Sequence, residues 1–477
     1  MKKRGFKDHP YIPNSNIEVQ NGMLKEIGLT ALEELHEEIP DDLIFNGEMD
    51  IPKAIKSEFA LKKHMLSLLN KNKNCNDNLN FLGAGCYQHY VPAVCDEIVN
   101  RGEFLTGYGG ESYNDFGRFQ VFFEYQSLVA ELINMEVVNV PTMDYAQAAA
   151  TSIKMAYRLK DRRKFLVSEA ICPDKFSIIN NYCKPHIELI KVKFDLETGL
   201  VDLLDLKNKL NGEVAGFYFE NPSYFGHIET QGEEISELVH NNNSELVVGI
   251  DPISLGILQP PVEYGADIVC GDLQPLGVHM NYGGGQSGFM ATHNEEKYVM
   301  EFPSRIFGMA PTIKEGEYAF GDVAYDRTSF GHHREHGKEY VGTQTGLWGI
   351  AAAVYLSLMG PRGMKELGEK IIFNANFAKL ELNKVNGINT NLMKNMVFKE
   401  IIVTFEKTDL TVKEINKKLL KFGMFGGKDL SNEFSMLGKS SLYSFTEVHS
   451  EDDIMKLKNA LNIVLNESEE VENEENK

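Results

Sequence analysis

A chain of 477 residues is too long for one small domain and long enough for two or three that share a large core. Apolar residues at 43% and charged residues at 25% are the proportions of an ordinary globular protein. The formal net charge of −21 repels nucleic acid and anionic lipid, so neither is an expected partner.

The chain starts Met1-Lys2-Lys3-Arg4, basic as a signal peptide would be, but Asp8, His9, Pro10 and Asn14 stand where an apolar stretch should follow. No apolar run reaches the roughly 20 residues needed to span a bilayer. The six cysteines are scattered without a Cys-x-x-Cys pair. Reduced thiols and a cytoplasmic location are expected, with no membrane contact.

Residues 1–75 read as a polar helical arm. Apolar side chains recur at helical spacing over Leu24–Ile39 and Leu61–Leu69, and Pro40 and Pro52 break the pattern. Residues 76–330 read as a large domain of alternating strands and helices. Short apolar runs at Lys164–Val167, Ile187–Phe194, Val214–Phe219, Leu246–Ile250 and Ala266–Cys270 are the strands, and Phe122–Ile133 and Ala146–Leu159 are two of the helices. Fully apolar strands alternating with helices predict an α/β fold with a mainly parallel sheet covered on both faces. Ligands of such sheets sit beyond the carboxyl ends of the strands. The residues to inspect are therefore Glu220-Asn221-Pro222, Asp251-Pro252-Ile253 and Gly271-Asp272-Leu273-Gln274.

Residues 331–466 read as a long helix from Thr345 to Met359 and a smaller α+β C-terminal domain. That domain has strands at Phe398–Thr404 and Ser441–Phe445 and helices at Val412–Leu420 and Glu451–Leu465. Residues 467–477 form an acidic tail without apolar anchors, expected to be disordered.

Asp251 ends one strand and Gln274 follows the end of the next. In fold-type I enzymes that use pyridoxal phosphate, an aspartate at the first place holds the pyridine nitrogen and a lysine at the second forms the Schiff base. A glutamine has no nucleophilic amine, so this chain is expected to bind no such cofactor covalently. Asp-Pro after a strand is also a common turn and cap, which leaves a purely structural reading of Asp251 open.

Ordered blocks over most of the chain carry a resemblance. They include His9-Pro10-Tyr11-Ile12-Pro13, Phe81-Leu82-Gly83-Ala84-Gly85-Cys86-Tyr87, Arg101-Gly102-Glu103-Phe104, Phe123-Glu124-Tyr125-Gln126, Asp251-Pro252-Ile253-Ser254-Leu255-Gly256 and Gln274-Pro275-Leu276-Gly277. The chain resembles subunit 1 of the decarboxylating glycine dehydrogenase, the P-protein of the glycine cleavage system. The resemblance implies a fold-type I transferase-like architecture and a subunit 2 that carries pyridoxal phosphate, in an α2β2 assembly. It also implies that glycine, a small amino-acid substrate, loses carbon dioxide, and that the aminomethyl group passes to the lipoyl arm of H-protein.

The sequence departs from that family in three loops, 107–117, 143–147 and 336–342. Met143-Asp144-Tyr145 replaces a Tyr-Asp-Gly whose glycine lets a loop approach a phosphate. Such changes also fit a divergent paralogue acting on another amino acid, or a structural pseudoenzyme subunit. Tyr108 and Arg334 are the residues expected to reach a shared active site. Tyr108 is equally well a packing tyrosine, and Arg334 with its neighbouring histidines equally well part of a solvated loop.

His332-His333-Arg334-Glu335-His336 spells an inverted zinc-protease motif, yet Gly331 and Gly337 bracket it and no metal is expected. Cys86 is not expected to be a nucleophile. His89 and Tyr90 read as a structural pair.

Overall fold

The computed structural model describes residues 11–45, 47–105, 117–329, 331, 334–341 and 344–475, with side chains as far as residue 466. It forms two compact units, Met1–Lys73 and Asn74–Lys477.

In the first unit, α1 (Ile17–Glu26) is capped by Asn16, whose side chain accepts hydrogen bonds from the amides of Glu18 and Val19. The helix predicted over Leu24–Ile39 is displaced. Gly28, in the left-handed conformation, stands just beyond the end of α1, and only a 3-10 turn, Leu32–His36, follows. Ser57 caps α2 (Glu58–Leu69), which buries none of its side chains although Phe59 is 77% exposed and Leu69 55%.

The second unit opens with β1 (Leu79–Asn80), α3 (Ala93–Val99), α4 (Phe119–Ile133), β2 (Val137–Val138), α5 (Tyr145–Lys160) and β3 (Lys164–Ser168). It continues through α6 (Pro173–Cys183), β4 (Glu188–Val192), α7 (Leu203–Lys209), β5 (Val214–Glu220), α8 (Gly232–Asn241), β6 (Glu245–Ile250), β7 (Ile268–Asp272) and β8 (Gly288–Thr292). Seven strands make one sheet in the order β2-β8-β7-β6-β5-β3-β4. The run from β4 to β7 is parallel, and β8 is antiparallel to both β7 and β2. Strands β5, β6 and β7 are buried along their whole length, as their apolar sequences require once helices cover both faces.

Beyond the sheet come α9 (Glu296–Val299) and an antiparallel hairpin of β9 (Phe307–Pro311) and β10 (Tyr318–Asp322). Then α10 (Gly346–Leu382) begins after Thr345. The helix expected to stop at Met359 does break there, at Gly360 with φ 59° and ψ −179°, but Pro361 starts a second segment that runs on to Leu382. Proline is favourable in a first helical turn, where its missing N–H is not needed. The C-terminal sheet contains β11 (Ile388–Asn389), β12 (Glu400–Phe405), β14 (Lys428–Asp429) and β15 (Ser440–Ser444) in the order β11-β12-β15-β14. Between them, α11 (Val412–Leu419) precedes β13 (Met424–Phe425), which pairs with β1. The last helix, α12 (Glu451–Glu475), runs on into the acidic segment. Its first half is anchored by buried Ile454, Leu457, Leu461 and Val464.

Candidate functional site

Where β5, β6 and β7 end, the chain places Glu220, Asp251 and Asp272 around a cavity of about 190 Å³. The remaining wall comes from the Ala84–Tyr87 loop, the first turns of α5 and α6, and Glu400 at the head of β12. A seven-stranded sheet thus supplies the floor, and the C-terminal domain closes one side.

Each carboxylate has a distinct environment. Glu220 is buried and receives Lys175 Nζ at 2.7 Å and the Tyr218 hydroxyl at 2.8 Å. Tyr218 is in turn bonded to the Tyr145 hydroxyl, and the Lys175 ammonium lies 3.5 Å from the centre of the Tyr145 ring. Asp251 accepts the Ile253 amide at 3.0 Å and is ion-paired with Lys399. Lys399 also lies 4.3 Å from the Tyr87 ring centre. Asp272 accepts the amides of Gln274 and Ser287 through Oδ1, while its buried Oδ2 has no partner among the described residues. Burial pushes the Asp272 carboxyl up to about 7, against the pull of those two amides and of Lys175. Glu400 accepts the Ala84 amide at 2.7 Å and the Tyr87 hydroxyl at 2.9 Å, and burial raises it to about 7 as well.

Gln274 lies outside the cavity wall and is 1% exposed. Its Nε2 donates to the carbonyls of Tyr87 and Val278, and its Oε1 accepts the Tyr87 amide at 3.1 Å. The glutamine is therefore a staple that fixes the Ala84–Tyr87 loop. At the head of α5, Asp144 caps the helix by accepting the Gln147 amide at 2.7 Å. In a phosphate-bearing cofactor site that helix terminus would face the anion. Here it presents a carboxylate, and the hydroxyls of Tyr145 and Tyr218 lie so close to Gly249 that no β-carbon fits there.

These residues do not fit pyridoxal phosphate. There is no lysine at position 274, the cationic partner of Asp251 is already Lys399, and a carboxylate stands where the phosphate would need amides.

Of the other residues singled out from sequence, Tyr108, His332 and His333 lie outside the described residues. Arg334 heads a 3-10 turn, Arg334–His336, and is exposed away from the cavity lining. Burial and the nearby Asp272 push the Cys86 thiol up to about 11, so it is a poor nucleophile. His89 and Tyr90 are joined through Glu447, which accepts His89 Nδ1 and the Tyr90 amide, each at 2.7 Å. Sequence reasoning missed Lys175, Lys399 and Glu400. The available signals were a lysine just after the Pro173 helix start and a Lys-Glu pair interrupting the apolar run from Val397 to Val403.

Comparison with known proteins gives the family. The family model described as glycine cleavage system P-protein matches residues 9–461. A probable glycine dehydrogenase (decarboxylating) subunit 1 from Staphylothermus marinus is 38% identical over 468 residues, covering 96% of this chain and 99% of the relative. One from Pyrococcus abyssi is also 38% identical, over 95% of this chain and 99% of its own. Among solved structures, an inhibitor-bound glycine decarboxylase (P-protein) of the glycine cleavage system superposes with a TM-score of 0.82 at 28% identity, covering 96% of this chain and all of that one. A sphingosine-1-phosphate lyase from Burkholderia pseudomallei shares the fold alone, with a TM-score of 0.63 at 11% identity over 90% of this chain and 95% of its own. A match this continuous, over a sheet that places Asp251 and Gln274 at successive strand ends, means that the chain belongs to the glycine cleavage system P-protein family.

Proposed function

We propose that this chain is the subunit of glycine dehydrogenase (decarboxylating) that holds no pyridoxal phosphate and completes an active centre on a partner that does. The observation that carries the reading is Gln274: its amide is fully used in bonds to Tyr87 and Val278, and no amine takes its place. The P-protein family uses pyridoxal phosphate, so the cofactor belongs on a subunit 2 whose strand end keeps the lysine. Glycine is decarboxylated there, and its aminomethyl group passes to the lipoyl arm of H-protein.

A need for a partner is supported by α2, which leaves Phe59, Leu66 and Leu69 exposed with nothing buried along its length. Arg334, exposed on its turn, is a cation suited to a carboxylate or a partner surface. Tyr108 is the second residue assigned to the shared centre. An α2β2 assembly in the cytoplasm is the arrangement we assign.

The test is to co-purify the chain with a subunit 2 homologue and follow exchange of labelled bicarbonate into glycine. Exchange that needs both chains, with this chain colourless by itself, is the expected result. Arg334→Ala and Tyr108→Phe should each lower exchange about tenfold or more while the complex stays intact. Exchange into a different amino acid would identify a divergent paralogue. A yellow internal aldimine on this chain alone would overturn the proposal.

A further inference from the structure

The short loop that presents Arg334 is tied to α5 and to Glu301 by charged side chains. Glu339 accepts Lys154 Nζ at 3.0 Å and Arg158 Nη1 at 3.1 Å, two cations that stand one helical turn apart on α5. Arg158 also pairs with Glu301 through Nε and donates Nη2 to the Glu301 carbonyl at 3.0 Å. Glu301 in turn takes Lys338 Nζ at 2.7 Å. Three cations thus bracket two carboxylates, and the loop contributes one of each sign through its neighbours Lys338 and Glu339. The Glu339 side chain is 7% exposed, so solvent screens its pairs little.

The backbone adds a second hold on the same stretch. The Lys338 amide donates to the Arg327 carbonyl at 3.3 Å, and the Val341 amide to Ser329 Oγ at 3.1 Å. All of these anchors act on residues 338–341. Arg334 lies just before them, on an exposed turn closed by the Gly337 amide on the Arg334 carbonyl at 3.1 Å. A long cation on a short turn is aimed only as well as the segment behind it is held, because every loose bond multiplies the positions its guanidinium can take. Lys338 and Glu339 also fall in one of the segments where the sequence departs from its family, so the departing loop carries the means of its own fixation.

We propose that Glu339, clasped by Lys154 and Arg158, is a positioning residue that holds the Arg334 turn where Arg334 serves the shared active centre. This rests on the reading of Arg334 as a residue of that centre, and adds how the chain keeps it in place. With the clasp closed the turn is preorganised. With it open, only a fraction of the molecules present the guanidinium where it acts, and turnover falls by that fraction. Glu339 itself touches no substrate, so its influence passes through Arg334.

The test is a double-variant cycle on the complex with a subunit 2 homologue, read as exchange of labelled bicarbonate into glycine over a range of glycine concentrations. Glu339→Gln removes the charge at nearly constant shape. It should lower exchange about threefold or more with the complex intact, and change the same constant, kcat or KM, that Arg334→Ala changes. Added to Arg334→Ala, it should cost nothing further, because no guanidinium is left to misplace. Should Glu339→Gln fail to fold, Lys338→Met opens only the partly exposed side of the clasp on Glu301 and should give the same pattern to a smaller extent. Losses that multiply in the double variant overturn the proposal, since Glu339 would then act on the fold and not on Arg334. Native exchange in Glu339→Gln beside a defective Arg334→Ala also overturns it, while leaving Arg334 in the active centre. Native exchange in Arg334→Ala overturns the reading of Arg334, and the positioning role with it.

Discussion

Two side chains show how one position can lose a chemical role and gain a structural one. Gln274 exchanges a Schiff-base amine for three hydrogen bonds that hold the Ala84–Tyr87 loop. Restoring lysine there should not restore cofactor binding, because Asp144 still caps α5 and Lys399 still neutralises Asp251. Gln274→Lys incubated with pyridoxal phosphate and then borohydride should stay unlabelled by mass spectrometry. It should also lose about 1–3 kcal/mol in urea unfolding from the broken bonds. Asp272 makes the complementary case. Its carboxyl is raised by burial to about 7 from an ordinary value near 4, so the folded chain keeps a proton that the unfolded chain has released across that interval. Stability therefore falls as pH rises from about 4 to about 7 and levels off above. Urea midpoints measured across that range should decline in the native chain and decline less in Asp272→Asn, with Glu400, raised in the same way, carrying the remainder.

The elements around the cavity are positioned by local signals of unequal strength. Asp144 makes α5 begin where it does, and the alanines at 146, 148, 149 and 150 let that helix lie against the sheet. Strand boundaries follow the apolar runs closely: β5 covers Val214–Glu220 where Val214–Phe219 was expected, and β3 covers Lys164–Ser168 where Lys164–Val167 was. The arm was harder to read because most of its apolar residues remain exposed, with Leu24 a buried exception, so helical spacing there reports little burial on the chain itself. In α10, the break at Gly360 combines a positive φ with an extended ψ, a region open in practice only to glycine. Gly360→Ala should cost about 1–3 kcal/mol in a thermal melt even though open space surrounds the position, since the penalty is backbone strain rather than a clash. An unchanged melting temperature would show that the two segments of α10 are free to realign.

At the scale of the second unit, the cavity is a seam between the large sheet and the C-terminal domain. Lys399, 2% exposed at its side chain and in the left-handed backbone region, reaches from the head of β12 to Asp251 at the end of β6. A buried pair of this kind contributes little compared with an apolar replacement, but breaking it strands a charge. Lys399→Met should therefore destabilise the chain by about 3–5 kcal/mol, and Lys399→Met with Asp251→Asn should recover most of that loss. A double variant as unstable as the sum of the two single ones would show that the pair does not join the domains. The same seam explains why half of the site was invisible beforehand. Glu220, Asp251 and Asp272 follow apolar runs, and the strand-end rule points to them directly. Glu400 and Lys399 lie more than a hundred residues away in the chain, and nothing local marks the face to which the C-terminal sheet turns them.

The sequence by itself determined the alternation of strands and helices, the covered parallel sheet, and the absence of an amine at position 274. Each of those depends on side-chain chemistry or on periodicity within one element. Only the tertiary structure decided what fills the vacated site. The charge of the cavity, the capture of Asp251 by Lys399, the Tyr145 plug and the partnerless oxygen of Asp272 arise where segments distant in the chain converge, and pairing of buried charges is a property of that convergence.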